Sequence, residues 1–172
     1  IIIFGENDYP YLMDNEQISI LQKHIKKNQN LVMGSTRKEK NKYFNSLFLI
    51  TKDSYQKFDK KFLVPFGEFV PLRSVFRFMD MIAGTIDFSK GDKKRVLKIN
   101  ENMNILPAIC YEIIYFWKLL SKENINTNII INLTNDSWFG KISGPYQHFY
   151  FTKLRASEFN KTIIRVSSNG IS

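Results

Sequence analysis

Four short apolar runs, each stopping at a polar or glycine-marked corner, limit what this chain can fold into. Ile1–Phe4 stops at Gly5-Glu6, Leu31–Met33 at Gly34-Ser35, Ile105–Ile109 at Cys110, and Asn128–Leu133 at Thr134-Asn135-Asp136. Runs of this length, bounded by turn residues, suit strands buried within a sheet. Tyr43–Ile50 and Tyr55–Phe58 flank Thr51-Lys52-Asp53-Ser54 as a hairpin, Val96–Ile99 can pair with Asn104–Ile109, and Thr162–Val166 reads as a last strand. Helical spacing separates these segments. Asn15 is placed to cap a helix carrying Ile18, Leu21 and Ile25, and Gly144-Pro145 opens another through Tyr146, Phe149, Leu154 and Phe159. Ile113–Leu120 reads as a helix leaving Cys110, and Leu72–Met81 as a short one with an apolar side. The recurring order strand–helix–strand, without internal repeats, predicts an α/β layered fold that delivers chemical groups at strand ends.

At 172 residues the chain suits one domain or part of one. It begins at Ile1 inside what reads as a strand and stops just after Asn169-Gly170, so it reads as a fragment of a longer protein. No apolar run approaches the roughly 18 residues of a membrane span, and no signal-peptide pattern is visible. The 25 basic against 16 acidic residues give a net charge of +9, which favours acidic partners such as nucleic acid or an anionic membrane surface. The basic runs Lys23–Lys27, Arg37–Lys42, Lys57–Lys61 and Lys90–Lys98 read as solvated faces, however, and no nucleic-acid-binding module accompanies them. Nucleic acid is therefore not expected as a partner. A single cysteine excludes an intrachain disulfide, and Cys110 with His24 and His148 is too sparse a set to hold a metal.

Cys110 closes an apolar run and precedes a helical-looking segment, so its thiol is expected at a sharp turn near helix-terminal N–H groups. Such groups lower a thiol's pKa and can receive an oxyanion. Free cysteine is also among the most buried residue types, and Cys110 alone reads equally well as a small hydrophobe. Glu6 is expected at the C-terminal end of a buried strand, where open α/β sheets bind ligands. Between them, the stretch from Lys60 to Pro71 holds Pro65, Gly67 and Pro71, which exclude a regular helix or central strand. It is nonetheless strongly apolar and carries Lys60 and Glu68, as the wall of a site does more often than a linker. A thiol that is only a few per cent thiolate at neutral pH needs a base, and Glu6 can supply one if the apolar stretches Ile1–Phe4 and Phe62–Phe66 raise its basicity.

Glu6, Lys60 and Cys110, in this order and each closing or following a strand, resemble the Glu–Lys–Cys arrangement of the nitrilase (carbon–nitrogen hydrolase) superfamily. Leu63–Pro71, Ile109–Glu112, Thr134–Gly140, Gly144–His148 and Ser168–Ser172 together resemble the apolipoprotein N-acyltransferase family within it, and the resemblance runs from Ile1 to Ser172. It implies an α/β fold, a nitrilase-like αββα sandwich of which this chain is an incomplete part, on the periplasmic face of a bacterial inner membrane. Transmembrane helices that the chain lacks would hold it there. The implied reaction moves a fatty acyl group from a phospholipid donor to the α-amine of an apolipoprotein's N-terminal diacylglyceryl cysteine, with no cofactor. The resemblance makes Glu6 the general base, Lys60 the oxyanion-stabilising lysine and Cys110 the nucleophile. It makes Glu68 the support of the lysine and places Tyr111 and Glu112 beside the nucleophile. The base position departs from the family, with Phe4-Gly5-Glu6 where Trp-Pro-Glu is usual, a looser approach to Glu6.

Two other readings remain at this point. A soluble nitrilase-type amidase would use the same three residues with water as acceptor, and an inactive fragment or basic binding module would use none of them. A lipid acyltransferase needs apolar residues at the mouth of the site. Phe66, Phe69, Phe76, Phe78, Met79, Met81 and Trp138 are candidates, with Phe66, Phe69 and Trp138 expected to touch substrate.

Overall fold

The computed structural model describes residues 1–71, 86–140 and 142–172. The segment Leu72–Met81, with Phe76, Phe78, Met79 and Met81, lies outside them. Among the described residues, eight strands form two four-stranded sheets. In the first, β1 (Ile2–Ile3) runs parallel to β2 (Leu31–Glu39), followed by antiparallel β3 (Lys42–Ile50) and β4 (Tyr55–Asp59). In the second, β5 (Leu97–Asn100) lies antiparallel to β6 (Met103–Ile109), and β7 (Ile129–Thr134) and β8 (Thr162–Ser167) continue in parallel. Helix α1 (Asn15–His24) precedes β2, α2 (Phe116–Leu119) follows β6, and α3 (Gly144–Phe159) joins β7 to β8.

Alternation along the strands builds three apolar layers. Val32, Leu47, Leu49 and Phe58 of the first sheet face Leu97, Ile105, Ile109, Ile131 and Leu133 of the second, with Cys110 among them. The intervening residues point the other way. Leu31, Met33, Phe48 and Ile50 pack under Met13, Ile18 and Ile25, while Leu106, Ala108 and Ile130 pack under Ile113, Leu119 and Phe159. The result is helix, sheet, sheet, helix, the layering of a nitrilase-like α/β sandwich.

The structure corrects the expectations in four places. The cap of α1 is Asp14, whose carboxylate accepts from the Gln17 amide at 2.9 Å, and Asn15 is the first helical residue. Ile1–Phe4 is not a buried strand: β1 is a two-residue edge strand with Ile1, Ile2 and Phe4 exposed, because only β2 pairs with it. The expected helix 113–120 is broken into a 3-10 turn (Cys110–Ile114) and the short α2, separated by non-helical Tyr115. Paired β-branched residues followed by three aromatics give weak helix propensity there. The basic runs are not uniformly solvated either, since Arg37, Lys60 and Arg95 are buried.

Pro107 sits inside β6, a central strand, where proline normally forfeits a ladder bond. Here β5 pairs with β6 only as far as Ile105. The carbonyl of Pro107, on the same edge as its nitrogen, accepts from Arg95 at 2.8 Å. The missing N–H therefore faces a side with no strand, and a guanidinium takes the place of one.

Candidate functional site

Glu6, Lys60 and Cys110 each follow a strand, β1, β4 and β6 in turn, and all three are buried. Lys60 directly follows β4, and its amide extends the ladder by donating to the Asn45 carbonyl at 2.8 Å. The preceding Asp59 faces the other way and is fixed by Arg37 (2.7 Å to each oxygen) and by the Ser46 hydroxyl at 2.6 Å. That anchor sends Lys60 inward, where it is 1% exposed. Its ammonium lies 2.9 Å from Glu68 Oε2 and 3.6 Å from Glu6 Oε1. Burial works to lower the lysine's pKa, but the charges of Glu6, Cys110 and Glu68 outweigh it and hold the pKa above the ordinary value. Lys60 thus remains an ammonium, a donor and not a base.

Glu6 is buried one turn beyond β1. Its Oε1 accepts from Asn45 Nδ2 at 2.7 Å and its Oε2 from the Asn135 amide at 2.9 Å. Polar donors therefore hold it, not the apolar walls expected from Ile1–Phe4 and Phe62–Phe66. Gly5 is not loose. Its amide donates to Asp8 at 2.6 Å, and a Cβ there would come within 2.8 Å of the Ser168 amide nitrogen. Ser168 in turn donates to the Glu6 carbonyl at 3.0 Å, so the close approach that only glycine allows clamps the base from behind. Glu68 binds three donors: Lys60, the Val64 amide at 2.9 Å, and the same Asn45 Nδ2 at 2.9 Å.

Cys110 occupies the first position of the 3-10 turn with φ of 50°, a left-handed conformation that costs a non-glycine residue about 1–2 kcal/mol. The polar side chains that act on its thiol are Glu6, Lys60 and Thr134. The expected lowering of its pKa by a helix terminus does not occur. Burial first, then the charge of Glu6, pushes the thiol up to about 12, against the opposing pull of Lys60. The resting group is a protonated thiol with its acceptor already in place. Iodoacetamide labelling of Cys110 in the substrate-free protein should therefore lag free cysteine at neutral pH and still be rising at about pH 10, since only thiolate reacts. Labelling that levels off near pH 8.5 would contradict this arrangement.

Glu112, wholly buried, joins the nucleophile's turn to the lysine's loop. Its Oε1 accepts from the amides of Lys61 (2.9 Å) and Phe62 (3.2 Å), and its Oε2 from the Ile109 amide at 3.0 Å. Arg95 binds both oxygens at 2.7 and 2.9 Å. Burial alone would raise this carboxyl's pKa, but Arg95 and the backbone amide hold it below the usual range. Tyr111 is half-buried and stacks on Phe139 with centroids 6.0 Å apart. Of the expected substrate contacts, Phe66 and Trp138 are exposed and Phe69 is half-buried. A cleft of about 660 Å³ lined by Tyr55, Gln56, Lys57, Lys93, Lys94, Val96 and Leu97 shares none of these residues.

Asn45, Arg95, Asn132, Asp136, His148 and Arg165 were not singled out as site residues from the sequence, although all surround it. Asp136 and His148 lay inside quoted motifs, and Arg95 inside a basic run. Asn45 and Asn132 are polar interruptions of otherwise apolar strands, and that interruption is the signal that marks them.

The chain is also similar to known proteins. A protein of Rickettsia typhi named apolipoprotein N-acyltransferase is 40% identical over 136 residues, covering 78% of this chain and 27% of that protein. One of the same name from Brucella suis is 32% identical over 185 residues, covering all of this chain and 35% of its relative. The chain thus spans about a quarter to a third of the length of these curated relatives. Among solved structures, a glutamine-dependent NAD+ synthetase from Acinetobacter baumannii matches 96% of this chain and 31% of its own with a TM-score of 0.69 at 16% identity. A carbon–nitrogen hydrolase from Helicobacter pylori matches 91% and 52% with a TM-score of 0.65 at 16% identity. At such identities these two speak for the fold alone. The sequence profile described as Carbon-nitrogen hydrolase matches residues 3–172, nearly the whole chain, and on that match the chain belongs to the carbon–nitrogen hydrolase family.

Proposed function

We propose that this chain carries the catalytic residues of an acyltransferase. It would move a fatty acyl group from a phospholipid to the N-terminal α-amine of a diacylglyceryl-cysteine apolipoprotein, on the periplasmic face of a bacterial inner membrane. One observation carries the chemistry: Glu6 and the ammonium of Lys60, 3.6 Å apart, are the charged groups that act on the buried Cys110 thiol. The names of the relatives support the choice of donor and acceptor.

Glu6 accepts the thiol proton as the sulfur attacks the ester carbonyl, so the high resting pKa of Cys110 never has to be overcome by solvent. Negative charge develops on the carbonyl oxygen, and Lys60 with the N–H groups opening the 3-10 turn stabilises it. Collapse expels the lysophospholipid alcohol, to which Glu6 returns the proton, and leaves a thioester on Cys110. The amine then attacks the thioester, Glu6 takes its proton, and the thiol departs with the amide formed. Glu68 and Asn45 hold the ammonium and the base in register, while Phe66, Phe69 and Trp138 contact the acyl chain.

The test is made on the full-length protein in phospholipid vesicles with two diacylated lipopeptides, one with a free α-amine and one N-acetylated. Transfer to the free amine alone is the expected result. Rapid hydrolysis of a small amide, with no transfer to either lipopeptide, would replace this reading with that of an amidase.

A further inference from the structure

A buried charged cluster backs the Cys110 carbonyl, and the chemistry above makes no use of it. Asp136, His148, Arg165 and Asn132 belong to four different elements, and all four are buried. Asp136 is its centre. Its Oδ1 lies 2.8 Å from His148 Nδ1, and its Oδ2 accepts from Arg165 Nη2 at 2.6 Å and from the Ser167 hydroxyl at 3.2 Å. A carboxylate only accepts, so His148 carries its proton on Nδ1. The backbone closes tightly on this centre: Gly170 has φ of 129°, and a Cβ there would stand 2.2 Å from Asp136 Oδ2.

Two arms run from Asp136 to the backbone of Cys110. In the first, Arg165 Nη1 donates to Asn132 Oδ1 at 2.9 Å, which settles the orientation of that amide. The Asn132 Nδ2 is thereby turned to the Ala108 carbonyl at 3.1 Å and the Cys110 carbonyl at 3.4 Å. In the second, the His148 ring, held by Asp136, backs the Cys110 carbonyl with Nε2 at 3.3 Å, and the rings of Tyr111 and Phe139 pack against it with centroids 6.0 and 5.2 Å away. Arg165 is itself fixed by the Ile171 carbonyl at 2.9 Å and by Thr152 Oγ1 at 3.3 Å. A left-handed non-glycine residue persists only where its surroundings over-determine it, and these two arms are what bears on the Cys110 carbonyl.

We propose that Asp136, Arg165, Asn132 and His148 act as positioning residues that lock the left-handed turn of Cys110 and so aim its thiol at Glu6 and Lys60. The proposal rests on the reading of Cys110 as nucleophile. It predicts that losing either arm lets the turn relax, withdraws the thiol from Glu6 and exposes it, leaving the fold in place.

Two variants of the full-length protein test it. Asn132→Leu removes the donor to the Cys110 carbonyl without adding a charge, and His148→Asn removes the ring behind it. Each is read by melting temperature, by kcat and KM for acyl transfer, and by iodoacetamide labelling of Cys110 between pH 7 and 10, located by peptide mass spectrometry. In the folded variants kcat should fall with KM little changed. Labelling at pH 8 should speed up by about tenfold or more, the gain in thiolate from a one-unit fall in pKa. Labelling involves neither acyl donor nor acceptor, so it reports on positioning even if the acyl-transfer reading fails. Unchanged kcat and an unchanged labelling profile in either folded variant would overturn the proposal, as would a lowered melting temperature alone. If Asn132→Leu does not fold, His148→Asn decides.

Discussion

Lys60→Ala is expected to slow acylation of Cys110 by about 10²–10³-fold, the usual cost of removing one donor to a developing oxyanion. The structure adds a second consequence. Glu6 and Glu68 share the single Asn45 Nδ2 and flank the same ammonium. Without that ammonium the two carboxylates face one another across the Asn45 amide they share, and their repulsion displaces the base as well as emptying the oxyanion site. Lys60→Arg should fail to rescue, because a planar guanidinium does not fit a buried point-charge site bounded by two carboxylates and a thiol. Single-turnover acylation of the full-length protein measures both variants. An Arg variant as fast as the native protein would show that the site needs only a positive charge.

Glu112→Leu is expected to cost the fold about 3–5 kcal/mol, the usual penalty for leaving a buried charge without its partner, in this case Arg95. It also strips acceptors from the amides of Lys61, Phe62 and Ile109, so the loop after the lysine and the strand before the nucleophile lose their shared anchor. The double variant Arg95→Leu/Glu112→Leu should recover part of the loss, since two apolar side chains leave no stranded charge. Urea unfolding provides the comparison. The linkage to pH has a definite sign. The folded-state pKa of Glu112 is depressed, so its contribution is present above its ordinary value of 4.5 and is lost as pH falls through the lower folded value. The native protein should therefore lose stability below about pH 4.5, and the double variant should lack that component.

Much of this was legible in the sequence. Alternation and turn residues indicate the strands, and Glu6, Lys60 and Cys110 stand out as a set through the resemblance to the nitrilase Glu–Lys–Cys arrangement. The structure brings these three together, although residues 6 and 110 come from different sheets. Hidden from the sequence were the partners. Asn45 lies 39 residues from the glutamate it holds, and Asn135 lies 129 residues away from it. Arg95 stands in a lysine-rich run, and nothing in the run distinguishes the one guanidinium that turns inward to Glu112. Periodicity reports which face of an element is apolar, but not which polar group on a buried face has found a partner. The thiol's pKa was misjudged for a related reason. A helix-terminal position was legible, whereas the burial and the neighbouring carboxylate that outweigh it arise only in the folded chain.

The central claim is that Cys110 carries the acyl group between donor and acceptor. Intact-protein mass spectrometry of the full-length protein, incubated with phospholipid in the absence of acceptor, tests it most directly. The account predicts one fatty-acyl mass increment on the peptide containing Cys110, absent in Cys110→Ala and discharged by a diacylated lipopeptide with a free α-amine. Transfer to that lipopeptide by the Cys110→Ala variant, or an adduct on another residue, would contradict it.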